Sequence, residues 1–338
     1  MQSRTTNRHL WRESINATLG LWISIALVAP LQAAEPFIER AEVQQFVRTI
    51  ATKHDLNQNT IAGWFSRIES QPDILEAIST PAERTLEWFE YRAIFLTDKR
   101  ISMGRAFMTE NADLLQRAEE TFGVPASVIT AIIGVETFYG RHLGKHTALE
   151  ALATLGFDFP RRSEFFSKEL EEFIVLASDE GWDPLAIKGS YAAAMGMPQF
   201  ISSSYRRYAI DFDNDGQRDL WNSVADVIGS VANYLSEHHW QPGAPIAAIW
   251  EHDAALNSDV DKLVSKKLKP SVTPATVRAM GFDASGSDLL SVNRLKLADS
   301  STQTWVGYKN FYVITRYNHS RLYAMAVHQL SAALTVRE

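Results

Sequence analysis

Glu136 stands in Ala131-Ile132-Ile133-Gly134-Val135-Glu136-Thr137-Phe138-Tyr139-Gly140, where it is the one group able to give up and take back a proton near neutral pH. Pro125 suits a first helical position and Gly140 a stop, so the spacing predicts one helix over 126–139. Val128, Ile129, Ile132, Ile133 and Val135 crowd the turns around and before the glutamate, so its carboxyl is expected to be half desolvated. It also falls in the last turn, where the helix carbonyls present partial negative charge. Both effects favour the neutral acid, by roughly 1.4 kcal/mol for each unit of raised pKa. An acid kept protonated near neutral pH is what glycosidic bond cleavage requires. Taken alone, a glutamate snorkelling from a buried helix is the plainer account, and the rest of the chain must decide.

Other polar groups sit where a cleft would need them. Lys188-Gly189-Ser190-Tyr191-Ala192-Ala193-Ala194-Met195-Gly196-Met197-Pro198-Gln199-Phe200 is a run of small residues that lets backbones approach closely. Ser190 and Gln199 flank it, either pointing at a ligand or capping their own turns. Pro160-Arg161-Arg162 places two guanidinium groups together at a helix break. Tyr91, in Trp88-Phe89-Glu90-Tyr91-Arg92, is either a packing residue or a ligand platform.

Asp211, Asp213, Asp215, Gly216, Gln217 and Asp219 fall at positions 1, 3, 5, 6, 7 and 9 of an EF-hand-like loop. There alternate oxygens wrap a hard cation and the glycine permits the sharp turn. Position 12 is Asn222 where a bidentate Glu is expected, and position 8 is Arg218. Asp226, opening the next helix, is placed to reach back as a substitute ligand. The expected metal set is Asp211, Asp213, Asp215, Gln217 and Asp226 around a structural Ca²⁺; the alternative is a solvated turn capping a helix over 223–236.

The elements that position these groups are mostly helical. Val43, Phe46, Val47 and Ile50, then Ile61, Trp64, Phe65 and Ile68, follow helical spacing. Thr80-Pro81-Ala82-Glu83 reads as a helix start. Helices are expected over 148–155, over 163–178 and over 322–334. Pro242, Pro245, Pro270 and Pro274 punctuate the chain beyond Trp240, and 289–305 alternates as a few strands would.

The 338 residues, 46% hydrophobic and 22% charged, suffice for a large core or two to three domains. Arg4, Arg8 and Arg12 precede an apolar run from Leu19 to Leu31 that ends in Gln32-Ala33-Ala34, the pattern of an export signal that is cleaved. The alternative is an uncleaved anchor, because Leu31 or Gln32 replaces the small residue favoured at the minus-three position. No cysteine occurs, which excludes disulfides, thiolate metal ligands, a thiol nucleophile and a lipidated N-terminal cysteine. Net charge is −7 before loss of the basic leader, an acidic balance that argues against a nucleic-acid partner.

In order and spacing, these segments resemble the lytic murein transglycosylase B family, glycoside hydrolase family 103. The resemblance is carried by Gly134-Val135-Glu136-Thr137-Phe138-Tyr139-Gly140, Pro160-Arg161-Arg162, the run from Lys188 to Phe200, Asp211 to Asp219, Ile228-Gly229-Ser230-Val231-Ala232-Asn233-Tyr234 and Arg316-Tyr317-Asn318-His319-Ser320. It spans about Phe37 to Leu334. It implies a mainly α (α+β) fold: a lysozyme-like helical core with an added helical domain and a small mixed α/β domain. The corresponding division is a signal peptide over 1–34, a helical domain over 35–115 and a catalytic core over 116–240 with the EF-hand-like loop at 211–222. An appended mixed region over 241–304 and a segment over 305–338 returning to the core complete it.

The resemblance further implies that Glu136 is the only catalytic carboxylate, acting on the β-1,4 bond between N-acetylmuramic acid and N-acetylglucosamine. The products are 1,6-anhydromuramoyl ends, and no cofactor takes part in catalysis. Tyr91, Arg161, Arg162, Ser190, Gln199, Tyr234 and Tyr317 would line the glycan cleft. The expected partners are peptidoglycan strands and cell-wall synthesis or remodelling proteins, and the expected form is soluble and periplasmic. A hydrolytic muramidase, which needs a positioned water, and a non-catalytic peptidoglycan-binding scaffold are the alternatives. Product mass separates the first, and clearing of purified wall the second.

Overall fold

The computed structural model describes residues 36–79, 86–264 and 267–336. The expected export signal and the expected helix start at Thr80 lie outside the described residues. Among the described residues the first α-helices are α1 (Ala41–His54), α2 (Gln58–Phe65), α3 (Pro72–Ser79), α4 (Trp88–Phe95), α5 (Asp98–Glu110) and α6 (Ala112–Phe122). Val43, Val47 and Ile50 turn one stripe of α1 inward and are almost wholly buried, as their spacing predicts. Asn57 and Thr97 accept from the amides of Thr60 and Arg100, capping α2 and α5. The expected boundary at 115/116 falls inside α6, because Ala112 to Phe122 is one uninterrupted turn pattern that ends only at Gly123 in the left-handed region.

The central helices are α7 (Ala126–Thr137), α8 (Ala148–Asp158), α9 (Ser163–Asp179), α10 (Ser202–Tyr208) and α11 (Val224–Glu237). Every residue of α7 from Val128 to Val135 is buried, as befits a helix with no polar face. Helix α8 runs past the expected end at Leu155 to Asp158; the chain is forced out of helix only at Phe159, before Pro160. The extra turn has a use, since Asp158 accepts from Arg40 Nη1 and Ser70 Oγ, both at 2.6 Å, and ties the first helices to α8. A two-stranded antiparallel ladder, β1 (His146–Thr147) with β2 (Lys188–Gly189), holds the loop after α7 against the small-residue run.

Beyond Trp240 come β3 (Ala247–Ile249), α12 (Asn257–Leu263), α13 (Pro274–Arg278), β4 (Ser291–Lys296) and β5 (Thr302–Gly307). The strands form an antiparallel sheet in the order β3-β5-β4, three residues past the expected limit at 304. Alternation along β4 sends Val292 into a second apolar cluster with Trp250, Val260 and Val306, while Leu295 joins the main core. The segment 309–317, which reads only as a lead into the last helix, is itself helical: α14 (Lys309–Tyr317) precedes α15 (Arg321–Thr335). Ser320 separates them and caps α15 by accepting from the Tyr323 amide. Helix α15 packs along α7, and the whole is mainly α with small sheets, in keeping with the lysozyme-like expectation.

Candidate active site

Helix α7 stops at Thr137, two residues before the spacing predicts. Phe138 and Tyr139 both adopt left-handed backbone, at φ 54° and 59°, and Gly140 follows at φ 81°. The reason is tertiary. The Tyr139 ring folds back between α7 and α5, where a Cβ on Gly134 would lie 2.6 Å from its hydroxyl oxygen and one on Gly104 only 2.3 Å. That hydroxyl donates to the Arg100 carbonyl at 3.0 Å. On the other side, Thr137 Oγ1 donates to the Met197 carbonyl at 2.9 Å and accepts from the Gly140 amide at 3.1 Å. Glu136 therefore immediately precedes a turn held twice, by Thr137 to the 188–200 loop and by Tyr139 to α5.

Glu136 is half-buried, and the Tyr323 hydroxyl donates to its Oε1 at 2.6 Å. Burial, then the Glu136 charge, pushes the Tyr323 phenol well above its ordinary range, so it stays a donor at any working pH. Tyr323 is absent from the sequence-based site because no local pattern singles it out: a tyrosine in the first turn of a capped helix reads as packing. Only the crossing of α15 over α7 brings it to the carboxylate.

Tyr317 stacks on Tyr323, with ring centres 6.3 Å apart and planes at 12°, and lies 4.7 Å from the Tyr234 ring. Its hydroxyl donates to the Pro198 carbonyl at 2.7 Å, and that of Tyr234 to the Arg316 carbonyl at 2.6 Å. Burial raises both phenols, with the Glu136 charge among the further causes. Beside them opens a cavity of ≈ 370 Å³ lined in part by Arg162, Gln199, Phe200, Tyr234 and Tyr317.

Four expectations need restating. Tyr91 is only 1% exposed and packs against Phe95, so it does not offer a face to a sugar; it belongs to the buried tyrosine group that also raises Tyr323. Ser190 Oγ accepts from the Ala194 amide at 3.1 Å, and Gln199 Nε2 donates to the Gly196 carbonyl at 2.9 Å, so both side chains do cap their own loop. Arg162 reaches the cavity and stacks on Phe165, its guanidinium 4.2 Å from the ring centre, whereas Arg161 is exposed and not among the lining residues. The loop itself is held by close backbone approaches, a Cβ on Gly144 being excluded by the Gly189 carbonyl oxygen at 2.0 Å.

In the acidic loop, carboxylate oxygens of Asp211, Asp213 and Asp226 converge within 4.8 Å of one another. Asp226, 1% exposed, accepts from the amides of Phe212 and Asp219 and so bridges the two ends of the loop. Asp215 stands outside this trio, accepting from the Gln217 amide at 2.8 Å. Gly229 leaves room for Phe212, whose ring a Cβ there would meet at 2.5 Å, and this seats the loop on α11. Three convergent hard oxygens, one of them buried, fit a cation such as Ca²⁺.

Comparison with known proteins gives a consistent answer. The family described as Transglycosylase SLT domain matches residues 39–332. The membrane-bound lytic murein transglycosylase B of Escherichia coli (strain K12) is 38% identical over 317 residues, covering 90% of this chain and 86% of the relative. The crystal structure of the soluble lytic transglycosylase SltB1 from Pseudomonas aeruginosa superposes with a TM-score of 0.82 at 43% identity, over 87% of this chain and 98% of that one. The Escherichia coli lytic transglycosylase Slt35 in complex with calcium gives 0.80 at 38% identity, over 89% and 95%.

Proposed function

The chain belongs to the Transglycosylase SLT domain family, and on that premise we propose that Glu136 is the acid and base with which this lytic murein transglycosylase cleaves peptidoglycan. The observation that supports this reading is a half-buried carboxyl at a helix end, hydrogen-bonded by Tyr323, whose ring stacks on Tyr317 in the cavity wall.

The neutral Glu136 gives its proton to the glycosidic oxygen as the C1–O bond of N-acetylmuramic acid breaks, releasing N-acetylglucosamine as an alcohol. Positive charge grows at C1, and the substrate's own N-acetyl oxygen meets it. The carboxylate then takes the proton of the same sugar's C6 hydroxyl while O6 bonds to C1. Water is not consumed, and the acid is regenerated. Tyr323 orients the carboxyl throughout, and Thr137 and Tyr139 fix the backbone beneath it. Arg162 and Gln199 bind the strand, and Tyr317 and Tyr234 give it an aromatic wall. Arg161 and Ser190 are kept as contacts made with substrate present.

The acidic loop is proposed as a structural Ca²⁺ site held by Asp211, Asp213 and Asp226, a reading supported by their convergence and by the relative solved with calcium. Export to the periplasm is proposed from the basic and apolar leader and from the location of the substrate. Glu136→Gln, a swap that preserves shape, tests the central assignment in a wall-clearing assay. Loss of clearing with an unchanged melting curve supports it, and wild-type clearing refutes it.

A further inference from the structure

The cavity walled by Tyr234 and Tyr317 has a second character that glycan binding alone does not use. Arg162, Arg207 and Arg316 line it together with His238 and His319, and none of its lining residues is acidic. The chain around it carries net charge −7, so such a concentration of cationic groups departs from the general surface.

The three guanidinium groups are not spent on ion pairs. Arg162 stacks on Phe165 and Phe166, Arg207 lies 5.3 Å from the Tyr208 ring centre, and Arg316 Nη1 lies 3.2 Å from His319 Nε2. Among the described residues none of the three has a carboxylate within salt-bridge distance. The neighbouring Arg206, by contrast, is paired with Glu172 and Asp179. Adjacent arginines of one helix thus divide, one neutralised and one open to the cavity.

The imidazoles report the same field. Burial, then Arg316 and Arg162, lowers His319, and burial, Arg316 and Arg207 lower His238, although the Tyr234 carbonyl opposes the shift there. Both shifts favour the neutral imidazole, so the positive charge of the hollow rests on the arginines. Cationic forks gathered in a half-enclosed hollow favour a planar anion held by paired N–H groups.

We propose that this hollow binds a carboxylate of the stem peptide, with Arg207 and Arg316 as its specificity-determining residues, so that the enzyme selects strands whose peptide carboxylates are free over strands where they are capped as amides. The proposal rests on the reading of the cleft as the peptidoglycan site. Its chemistry follows from the substrate: the sugars of the strand are neutral, and the anionic charge lies on the stem-peptide carboxylates.

The test is calorimetric titration of the Glu136→Gln full chain with three disaccharide–pentapeptide fragments: one with free carboxylates, one amidated at the terminal residue, and one amidated throughout. The free fragment is expected to bind roughly tenfold tighter than the fully amidated one, as for loss of one charge-assisted contact. The terminally amidated fragment identifies which carboxylate is read. In Arg207→Gln and Arg316→Gln the difference is expected to fall below about twofold. Arg207 is exposed, so its variant tests recognition without disturbing the core. Equal binding of the three fragments by the unaltered pocket overturns the proposal and leaves the cleft assignment standing. Absence of binding by all three overturns both.

Discussion

Tyr323 and Glu136 lie 187 residues apart in the chain and 2.6 Å apart in the fold, joined by a hydrogen bond from phenol to carboxyl. The contact exists because α15 packs along α7, so the helix that completes the core also carries the donor to the proposed catalytic carboxyl.

Removing that donor is the first prediction. Tyr323→Phe keeps the buried ring and loses only the hydroxyl, so folding is expected to be retained. A hydrogen bond to a charged group is worth about 1.5–3 kcal/mol, which corresponds to a fall in kcat of roughly ten- to a hundredfold. Steady-state turnover of soluble murein fragments checks this, and an unchanged kcat would remove Tyr323 from the mechanism.

Gly134→Ala tests how the end of α7 is built. The added methyl meets the Tyr139 ring at under 3 Å, and so does one at Gly104. Overpacking of this kind costs about 1–3 kcal/mol, to be read from urea unfolding. Because Tyr139 anchors the turn beyond Glu136, activity is expected to fall further than the loss of folded protein explains. Full stability in both alanine variants would contradict the described ring position.

Chelation addresses the acidic loop. If Asp211, Asp213 and Asp226 hold Ca²⁺, removal of the ion is expected to lower the melting temperature, and added Ca²⁺ to restore it. Asp226→Asn is expected to melt lower and to show no further response to chelator. A wild-type melting curve indifferent to chelation and to Ca²⁺ would strike the ion from the account.

His328 gives a pH dependence of stability. Burial pushes its imidazole down to about 4, and its Nδ1 has no hydrogen-bond partner. The unfolded chain takes up the proton near the ordinary value of 6.5, the folded chain only near 4. This contribution is therefore complete above pH 6.5 and is lost progressively as pH falls toward 4, amounting to on the order of 3 kcal/mol. Unfolding free energies between pH 4 and 8 are expected to slope less in His328→Phe than in the parent; identical slopes would refute the assignment.

What could be read ahead of the fold was local. Glu136, Arg162, Asp211 and Asp213 each declare themselves within a few adjacent residues, and Asp226 follows from the place left by Asn222. The same local patterns also marked Arg161 and Asp215, which the fold leaves outside the cavity and the converging trio. Tyr323 does not, because its role depends on a helix crossing that no spacing encodes. The end of α7 was misplaced for the same reason: Gly140 resembles a stop signal, while the residue that enforces the turn is a ring seated against Gly104, on another helix. Helix α14 was hidden by Phe311, Tyr312, Val313 and Ile314, residues that favour strands until packing against α15 decides otherwise.

The central claim is that one carboxyl performs both proton transfers and that the C6 hydroxyl, not water, closes on C1. Mass analysis of exhaustive murein digests tests it most directly, with wild-type and Glu136→Gln chains run side by side. The account predicts muramic termini one water lighter than hydrolysed ends from the wild type and no fragments from the variant. Reducing muramic termini as the wild-type product, or anhydro products from Glu136→Gln at undiminished rate, would contradict it.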